Sequence, residues 1–419
     1  MPVAPGSRAR GAILAIFLIA LYFMAYRYPF QIGDTDTSPT YSDTPLWLQL
    51  AKYVLLAPFL AYAAVVTRLH RWSFSAAEVL IVALASYAAL YGTAMATTGG
   101  AFGITLVQIG FALLFGFLFA QQDVTRGAFG TLFSCLLWFF ALSVLDYGVQ
   151  LFLYFAFDRL PALGYVGSFP RFGGIWDDPN SAAAIFVFII PWVLVERGIS
   201  WFSAGVAGIS MVAILLSQSL TTYGTVVIVL AILILAFYRS RPFYTRVLIM
   251  LLAIMLGAAL VMLIGFIALQ SADLTIGGII RSADAILTSK AGSIVVRQNS
   301  YSFAADISFL TLLGFDPLDE FGENQWLNLV ANIGLPFTLA YALLQVLTVR
   351  NLWVWANSLG DGRTRAIVVG LFSYYLWFFL LQVNIPASQI FPINILAAII
   401  SGMSWAWRSR WIQRAAARA

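Results

Sequence analysis

Three side chains that could act on a phosphate-linked substrate lie in polar stretches between apolar segments: Arg171, Arg297 and Glu323. An arginine presents a planar fork of donors to phosphate oxygens, and two arginines can neutralise a diphosphate leaving group as charge builds on it. A glutamate at the junction of a loop and a helix can take a proton from a sugar hydroxyl. A structural alternative makes Glu323 a helix-terminal charge that the helix dipole favours.

Residues 178–180, Asp-Pro-Asn, have the pattern of a helix start. Asp178 would be the N-cap, and proline is tolerated at the first helical position because its missing N–H would have no partner there. The free N–H groups of such a helix attract anions, and Arg171 lies upstream across a Gly-Gly pair that allows the chain to fold back. The alternative is that Asp177 and Asp178 only cap the helix and pair with Arg171.

Four carboxylates between residues 316 and 323 could hold a divalent cation through oxygen ligands. Solvated loop carboxylates are the simpler interpretation, so we predict no metal and no cofactor. The chain has one cysteine, Cys135, and one histidine, His70, which excludes an intramolecular disulfide and any metal site built from several His and Cys residues.

Composition places these groups in a membrane protein. Hydrophobic residues make up 61% of the 419 and charged residues 10%, and the mean hydropathy is +0.89. A membrane helix needs roughly 20 apolar residues. About twelve segments qualify, near 11–26, 46–67, 76–97, 101–120, 128–150, 181–195, 199–216, 222–237, 247–269, 326–349, 366–383 and 387–407. The sequence therefore predicts an all-α polytopic membrane protein.

The distribution of basic residues predicts the orientation of these spans. If the N-terminus is inside, the inside loops collect sixteen of the 23 basic residues. The outside segments then hold Arg27, Arg159, Arg171, Arg281, Lys290 and Arg297. This asymmetry satisfies the positive-inside rule. The net charge of +5 then needs no nucleic acid partner to explain it.

Two outside segments are long enough to form a site, 158–180 and 270–325, and the second separates the ninth and tenth spans. Within it, residues 297–313 are apolar enough to pack on the helix bundle. No internal repeat or low-complexity linker divides the chain, so we predict one integral domain over 1–419.

These stretches together resemble the O-antigen ligase/polymerase superfamily of bacteria, which are polytopic glycosyltransferases of GT-C type. The resemblance covers most of the chain in topology but only short stretches in motif. The motifs are Arg171-x-x-Gly174, residues 178–183 (Asp-Pro-Asn-Ser-Ala-Ala), Ser217-Gln218-Ser219, Arg297, and Glu323-Asn324 followed by Leu327, Leu329 and Gly334.

The resemblance implies block transfer at the periplasmic face of the bacterial inner membrane, with both termini cytoplasmic. An undecaprenyl-diphosphate-linked glycan would be the donor and a lipid-linked repeat unit the acceptor, alongside membrane lipids and a chain-length regulator as partners. Arg171 and Arg297 would clamp the diphosphate, and Glu323 would activate the acceptor hydroxyl. The remaining substrate contacts would be Asp178, Asn180, Arg281, Gln298, Tyr301 and Asn324.

Departures from the family pattern favour a polymerase. Ligases of this superfamily usually carry His-Asn where this chain has Glu323-Asn324, and His70 is predicted to lie inside. An O-antigen ligase that transfers the glycan to lipid A-core is the first alternative. A secondary transporter or lipid flippase is a more distant one, because such proteins place ionisable groups within their spans and these spans hold few.

Overall fold

The computed structural model of the protein is helical over nearly all of the residues that it describes. These residues are 76–100, 102–120, 140–145, 147–149, 152, 165–166, 169–170, 186, 190, 200–216, 302–318, 324–360, 363–383 and 393–416. One antiparallel ladder joins β1 (Tyr165–Val166) to β2 (Phe169–Pro170), and each strand has two residues. Apart from this ladder, the predicted all-α class is confirmed for the described part of the chain.

The chain divides into two compact units. Unit 1 comprises Met1–Leu21, Pro45–Ser134 and Ser300–Ala419, and unit 2 comprises Tyr22–Thr44 and Cys135–Asn299. The described α-helices of unit 1 are α1 (Ala76–Thr97), α2 (Phe102–Ala120), α4 (Phe309–Leu313), α5 (Gln325–Ile333), α6 (Leu335–Ser358), α7 (Arg363–Leu381) and α8 (Ile393–Ala416). Unit 2 contains α3 (Trp201–Leu216). The single integral domain over 1–419 stays a prediction.

Helices α1 and α2 form a tight hairpin because small residues line the surface between them. A Cβ atom added at Gly103 would overlap the backbone nitrogen of Ala96, and one at Gly110 would lie 2.8 Å from the carbonyl oxygen of Ala85. Such contacts allow helix backbones to approach closely in apolar surroundings. Helix α2 also packs on α8, where the site of a Cβ on Gly116 lies 3.1 Å from the carbonyl oxygen of Ala398.

The apolar core of unit 1 draws on α1, α2, α5 and α6. Its buried members include Leu84, Leu106, Leu329 and Tyr341. The short helix α5 therefore contributes to the same core as the long helices, which fixes its place in the unit.

In unit 2, Phe186 is buried and packs edge-on against Phe140 and Tyr147, with ring centroids 5.8 and 5.5 Å apart. Ser200 precedes α3, and its hydroxyl accepts a hydrogen bond from the Ser203 N–H at 3.2 Å. This is a normal N-cap arrangement.

Two of the described helices are long and apolar enough to cross a membrane: Glu78–Thr97 and Leu335–Ser358. Helices α1, α2 and α3 coincide with the predicted spans 76–97, 101–120 and 199–216 within two residues. Helix α7 begins at Arg363, slightly before the predicted 366, and α8 extends to Ala416, well beyond the predicted 407.

The predicted tenth span, 326–349, is wrong as a single helix. Gly334, whose φ is 91°, interrupts the helix, so α5 ends at Ile333 and α6 begins at Leu335. Positive φ is unfavourable for any residue except glycine, and Pro336 in the first turn suits the start of a new helix. Helix α6 then continues to Ser358, which places Arg350 inside the helix instead of in the loop after it.

Candidate functional site

Asn324 is the one predicted site residue that lies within the described part of the chain. The predicted catalytic residues Arg171, Arg297 and Glu323 lie outside the described residues. So do the other predicted substrate contacts, which are Asp178, Asn180, Arg281, Gln298 and Tyr301. The geometry around Asn324 therefore defines the candidate site.

Asn324 is the N-cap of α5. Its backbone is extended, with φ −88° and ψ 110°, and its side-chain Oδ1 accepts a hydrogen bond from the Leu327 N–H at 3.0 Å. Its carbonyl oxygen accepts the Asn328 N–H at 3.0 Å. Asparagine is among the strongest N-cap residues because it satisfies a helix N–H that has no partner within the helix. The residue before Asn324 in the sequence, Glu323, is thus the last residue before a capped helix start.

The start of α5 is also tied to Gln382, the residue that follows α7. The Gln325 N–H donates to the carbonyl oxygen of Gln382 at 3.0 Å. The Gln382 side chain pairs with Gln345 of α6 through two reciprocal hydrogen bonds, at 2.7 and 3.1 Å. All three residues are buried. The first residue of α5 is therefore held by a polar connection that reaches both α6 and α7.

Helix α5 carries a buried polar face within the apolar unit. Gln325, Asn328 and Asn332 are all fully buried, and the Asn332 amide donates to the carbonyl oxygen of Asn328 at 2.9 Å. The spacing of these residues places them along one side of the helix. Buried amides in apolar surroundings are costly unless they are bonded, so this face restricts how α5 can pack.

The C-terminus of α5 is locked against the residue that follows α4. A Cβ added at Gly314 would lie 2.6 Å from the carbonyl oxygen of Ile333, and one at Gly334 would lie 2.7 Å from the Gly314 nitrogen. Both glycines have positive φ, 85° and 91°. The Leu318 N–H donates to the Ala331 carbonyl oxygen at 3.1 Å, which is a further tie between the two segments. Helix α5 is thus fixed at both ends.

Two other side chains close to Asn324 in the sequence, Trp326 and Asp316, also lie within the described residues. Trp326 is half-buried and packs against Tyr341 and Phe379, with ring centroids 6.0 and 5.8 Å apart, so much of its surface is used for packing. Asp316 is exposed. Among the residues that the structure describes, no group of three His, Cys, Asp or Glu side chains could hold a metal ion.

The other predicted outside segment, 158–180, contains the described ladder of β1 and β2. Tyr165 pairs with Pro170, and Val166 pairs with Phe169. The ladder ends at Pro170, directly before Arg171 in the sequence. A local hairpin thus precedes the predicted phosphate ligand, and the sequence reasoning did not predict it.

Sequence reasoning also missed a column of neutral polar side chains between α6, α7 and α8. About one helical turn after Gln345 in α6, the Thr348 hydroxyl lies 3.1 Å from the Ser401 hydroxyl. It also accepts the Trp405 indole N–H at 3.2 Å. Hydrogen bonds of this kind join helices in apolar surroundings. The available signal was the presence of polar residues, spaced three or four apart, within predicted spans.

Comparison with known proteins adds no family assignment. No protein-family model matches the chain, and no curated protein matches it. The resemblance to the O-antigen ligase/polymerase superfamily therefore depends on its motifs and stays a prediction.

We expect Gly334→Ala to destabilise the protein by about 2–5 kcal/mol, because it adds the strain of a positive-φ conformation that only glycine readily adopts to a clash with Gly314. Gly99→Ala is the matched control. Gly99 has nearly the same φ, 90°, but nothing lies within 4 Å of an added Cβ. It should cost only about 1–2 kcal/mol. Thermal unfolding of both variants in detergent measures the difference, and equal losses would refute the close contact between Gly314 and Gly334.

The Gln345–Gln382 pair should behave as a coupled unit. Gln382→Leu leaves the buried Gln345 amide without its partner, which should cost about 1–3 kcal/mol. The double Leu variant removes both amides, so its loss should be smaller than the sum of the single losses by about 0.6–1.7 kcal/mol. A double-mutant cycle on unfolding free energy tests this, and strict additivity would show that the pair contributes nothing as a pair.

Proposed function

We propose that the protein is a polytopic bacterial inner-membrane glycosyltransferase that polymerises undecaprenyl-diphosphate-linked repeat units into O-antigen or exopolysaccharide at the periplasmic face. About twelve helices would cross the bilayer, with a long periplasmic segment between the ninth and tenth spans and both termini in the cytoplasm. The composition supports this, as do the two described helices that are long enough to span a membrane.

The fixed start of α5 is the observation that carries the proposal. Asn324 caps the helix, and Gln382 holds its first residue. A general base must be held within hydrogen-bond reach of the proton that it removes. In the sequence Glu323 directly precedes this anchored start, and we propose that the anchored helix holds its carboxylate within reach of the acceptor hydroxyl.

The proposed roles follow from charge and hydrogen-bonding capacity. Arg171 and Arg297 would bind the diphosphate and stabilise the charge that develops as the glycosyl bond breaks. Glu323 would remove the proton from the acceptor hydroxyl as its oxygen attacks the anomeric carbon. The proton would then reside on the glutamate, and undecaprenyl diphosphate would leave with the bonding electron pair. No metal is needed, because the arginines supply the positive charge.

A transporter is the second candidate, and one observation favours it. The break between α5 and α6 at Gly334, beside buried amides, resembles the discontinuous helices that bind substrates in secondary transporters. Transporters that couple to ions also place ionisable groups among such helices. The buried polar column of α6, α7 and α8 consists of amides, hydroxyls and an indole. This chemistry favours helix association over ion coupling.

The test uses the purified full chain in lipid nanodiscs with a synthetic lipid-linked repeat unit. A polymerase should convert it into a ladder of longer lipid-linked glycans, and the ladder should persist in EDTA. Adding lipid A-core as acceptor distinguishes the ligase, which should give a glycan-modified core and no ladder.

The transporter requires a separate measurement in sealed liposomes. Movement of the lipid-linked unit between leaflets, without any ladder, would replace the glycosyltransferase proposal with the flippase. A ladder that disappears in EDTA and returns with Mg²⁺ would keep the polymerase but move charge neutralisation to the carboxylates between residues 316 and 323.

A further inference from the structure

A short helix outside the predicted spans directs large apolar side chains away from the protein. In α4 and the residues after it, Phe309 and Phe315 are 73% and 77% exposed, and Leu310 and Leu313 are 55% and 42% exposed. Phe309, Leu310 and Leu313 lie on one face of the helix by their spacing. Contiguous exposed apolar surface of this kind marks a site of interaction with a protein or a membrane. We call these four residues the α4 apolar face.

Helix α4, which carries these exposed side chains, is capped at both ends. The Ser308 hydroxyl oxygen accepts the Thr311 N–H at 3.1 Å, which is an N-cap. At the other end, the Gly314 N–H donates to the Thr311 carbonyl oxygen and the Phe315 N–H to the Leu310 carbonyl oxygen, both at 2.9 Å. This pair of bonds is the Schellman motif. The α4 apolar face is therefore part of a defined structure.

The opposite side of α4 packs against the rest of unit 1. Thr311 is fully buried, and the Gly314 carbonyl oxygen accepts the Tyr91 hydroxyl of α1 at 3.2 Å. Gly314 also packs directly against the backbone of Ile333 and Gly334. Turning the α4 apolar face toward the protein would break all of these contacts.

Gly314, which follows α4, contacts both long helices near exposed apolar side chains. Its carbonyl oxygen accepts the Tyr91 hydroxyl, and Tyr91 stacks on Tyr87 of α1, whose side chain is 46% exposed. Gly314 also contacts Gly334, which precedes the exposed Leu335 at the start of α6. Helices α1 and α6 are the two described helices that are long enough to cross a membrane, so their exposed apolar side chains would face lipid.

The charges around α4 limit how deeply it can enter a membrane. The helix has the sequence Phe-Leu-Thr-Leu-Leu, without a charge, while the exposed Asp306 and Asp316 flank it. Five residues are far too few to span a bilayer, and the two carboxylates must stay in water or among the headgroups. Only the α4 apolar face can therefore enter the hydrocarbon.

We propose that the α4 apolar face inserts into the lipid of one leaflet and holds residues 302–318 on the bilayer surface. The occupant of this face is lipid hydrocarbon. The inference depends on the membrane location in the proposed function but not on the glycosyltransferase chemistry. Because Gly314 packs against the C-terminal end of α5, an anchored α4 would also fix the height of that helix, with Asn324 at its start, relative to the membrane.

Spin labels on the full chain in phospholipid vesicles test the proposal. In a Cys135→Ala background, single cysteines at positions 310 and 315 carry the label, and collision rates with oxygen and with a water-soluble nickel chelate are compared. Leu343→Cys on the exposed side of α6 is the lipid reference, and Thr98→Cys in the exposed turn between α1 and α2 is the water reference. Labels at 310 and 315 should match position 343, with an oxygen-to-nickel ratio several-fold above that at 98.

The outcomes separate this inference from the membrane location. If position 343 contacts lipid while labels at 310 and 315 collide with nickel as often as the label at 98, the inference is wrong and the membrane location stands. If 343 also contacts nickel, both are wrong. An immobile label at 310 that is shielded from both reagents would show that protein, such as a second copy of the chain, covers the face, and this too would overturn the proposal.

Discussion

Replacing Glu323 with glutamine should leave acceptor binding intact and lower turnover by about 10²–10⁴-fold, the usual contribution of general acid–base catalysis. Glutamine keeps the size and hydrogen-bonding shape of the side chain but cannot accept the proton of the acceptor hydroxyl. Glu323→Asp should give an intermediate rate, because the carboxylate remains but retreats by one methylene. The rate of ladder formation by the purified variants measures both effects.

Asp306→Asn is the matched control for Glu323→Gln. Asp306 is an exposed carboxylate in the same predicted outside segment, and neither the proposed mechanism nor the metal alternative assigns it a role. It should retain the wild-type rate. If Glu323 is instead a helix-end charge, the Gln variant should turn over normally and lose only about 0.3–1 kcal/mol of stability. Near-normal turnover of Glu323→Gln would thus remove the base from the mechanism.

The long helices could be predicted from the sequence because each of about 20 consecutive apolar residues adds to the same hydropathy signal. Helices α1 and α2 begin and end within two residues of the apolar segments 76–97 and 101–120. Between them, Thr98 and Gly99 interrupt the apolar run and form the turn. The length of an apolar segment is therefore sufficient to predict a helix and its bounds where polar residues or a glycine turn mark the ends of the segment.

The break between α5 and α6 shows where apolar length fails as a signal. Residues 326–349 are apolar almost throughout, so hydropathy joins two helices that the backbone separates at Gly334. The local signal was present, since glycine ends helices and Pro336 suits the first turn of a new one. A hydropathy window averages over both residues and hides the break.

The candidate site was predictable only in its local part. An asparagine before an apolar helix is an ordinary N-cap, so the position of Asn324 follows from its type. Its anchor does not, because Gln382 meets the start of α5 only after the chain has crossed α6 and α7. Pairings between distant residues depend on how helices pack, and a single sequence does not encode them in any local pattern.

The segment 297–313 gives a further contrast. Its apolar character predicted packing on the bundle, yet in α4 only one side, with Thr311, is buried, and Phe309 is largely exposed. Apolar composition cannot distinguish a side chain that contacts protein from one that contacts lipid, because a protein interior and lipid hydrocarbon favour the same apolar residues. The sequence therefore predicts that an apolar segment is removed from water, but it does not predict whether protein or lipid covers it.

Losing both proposed diphosphate ligands should nearly abolish glycan transfer. One lost charge-assisted contact to phosphate costs about 1.5–3 kcal/mol, which corresponds to about 10–100-fold in rate for Arg171→Ala or Arg297→Ala alone. The double variant should lose about 10²–10⁴-fold if the two guanidinium groups act independently on the same leaving group. Initial rates of ladder formation with a saturating acceptor and varied donor measure these losses.

Arg408→Ala is the control for removing an arginine as such. Its guanidinium lies 4.7 Å from the ring centroid of Trp411 near the end of α8, on the predicted cytoplasmic side, so transfer should be unaffected. Lysine at position 171 or 297 should restore little activity, because an ammonium group cannot form the bidentate contact. A double alanine variant that folds normally and retains transfer would exclude the arginine clamp, since no other pair of basic residues is assigned to the proposed leaving group. Equal rescue by lysine would instead mean that charge alone suffices, and the diphosphate would then be held without a defined geometry.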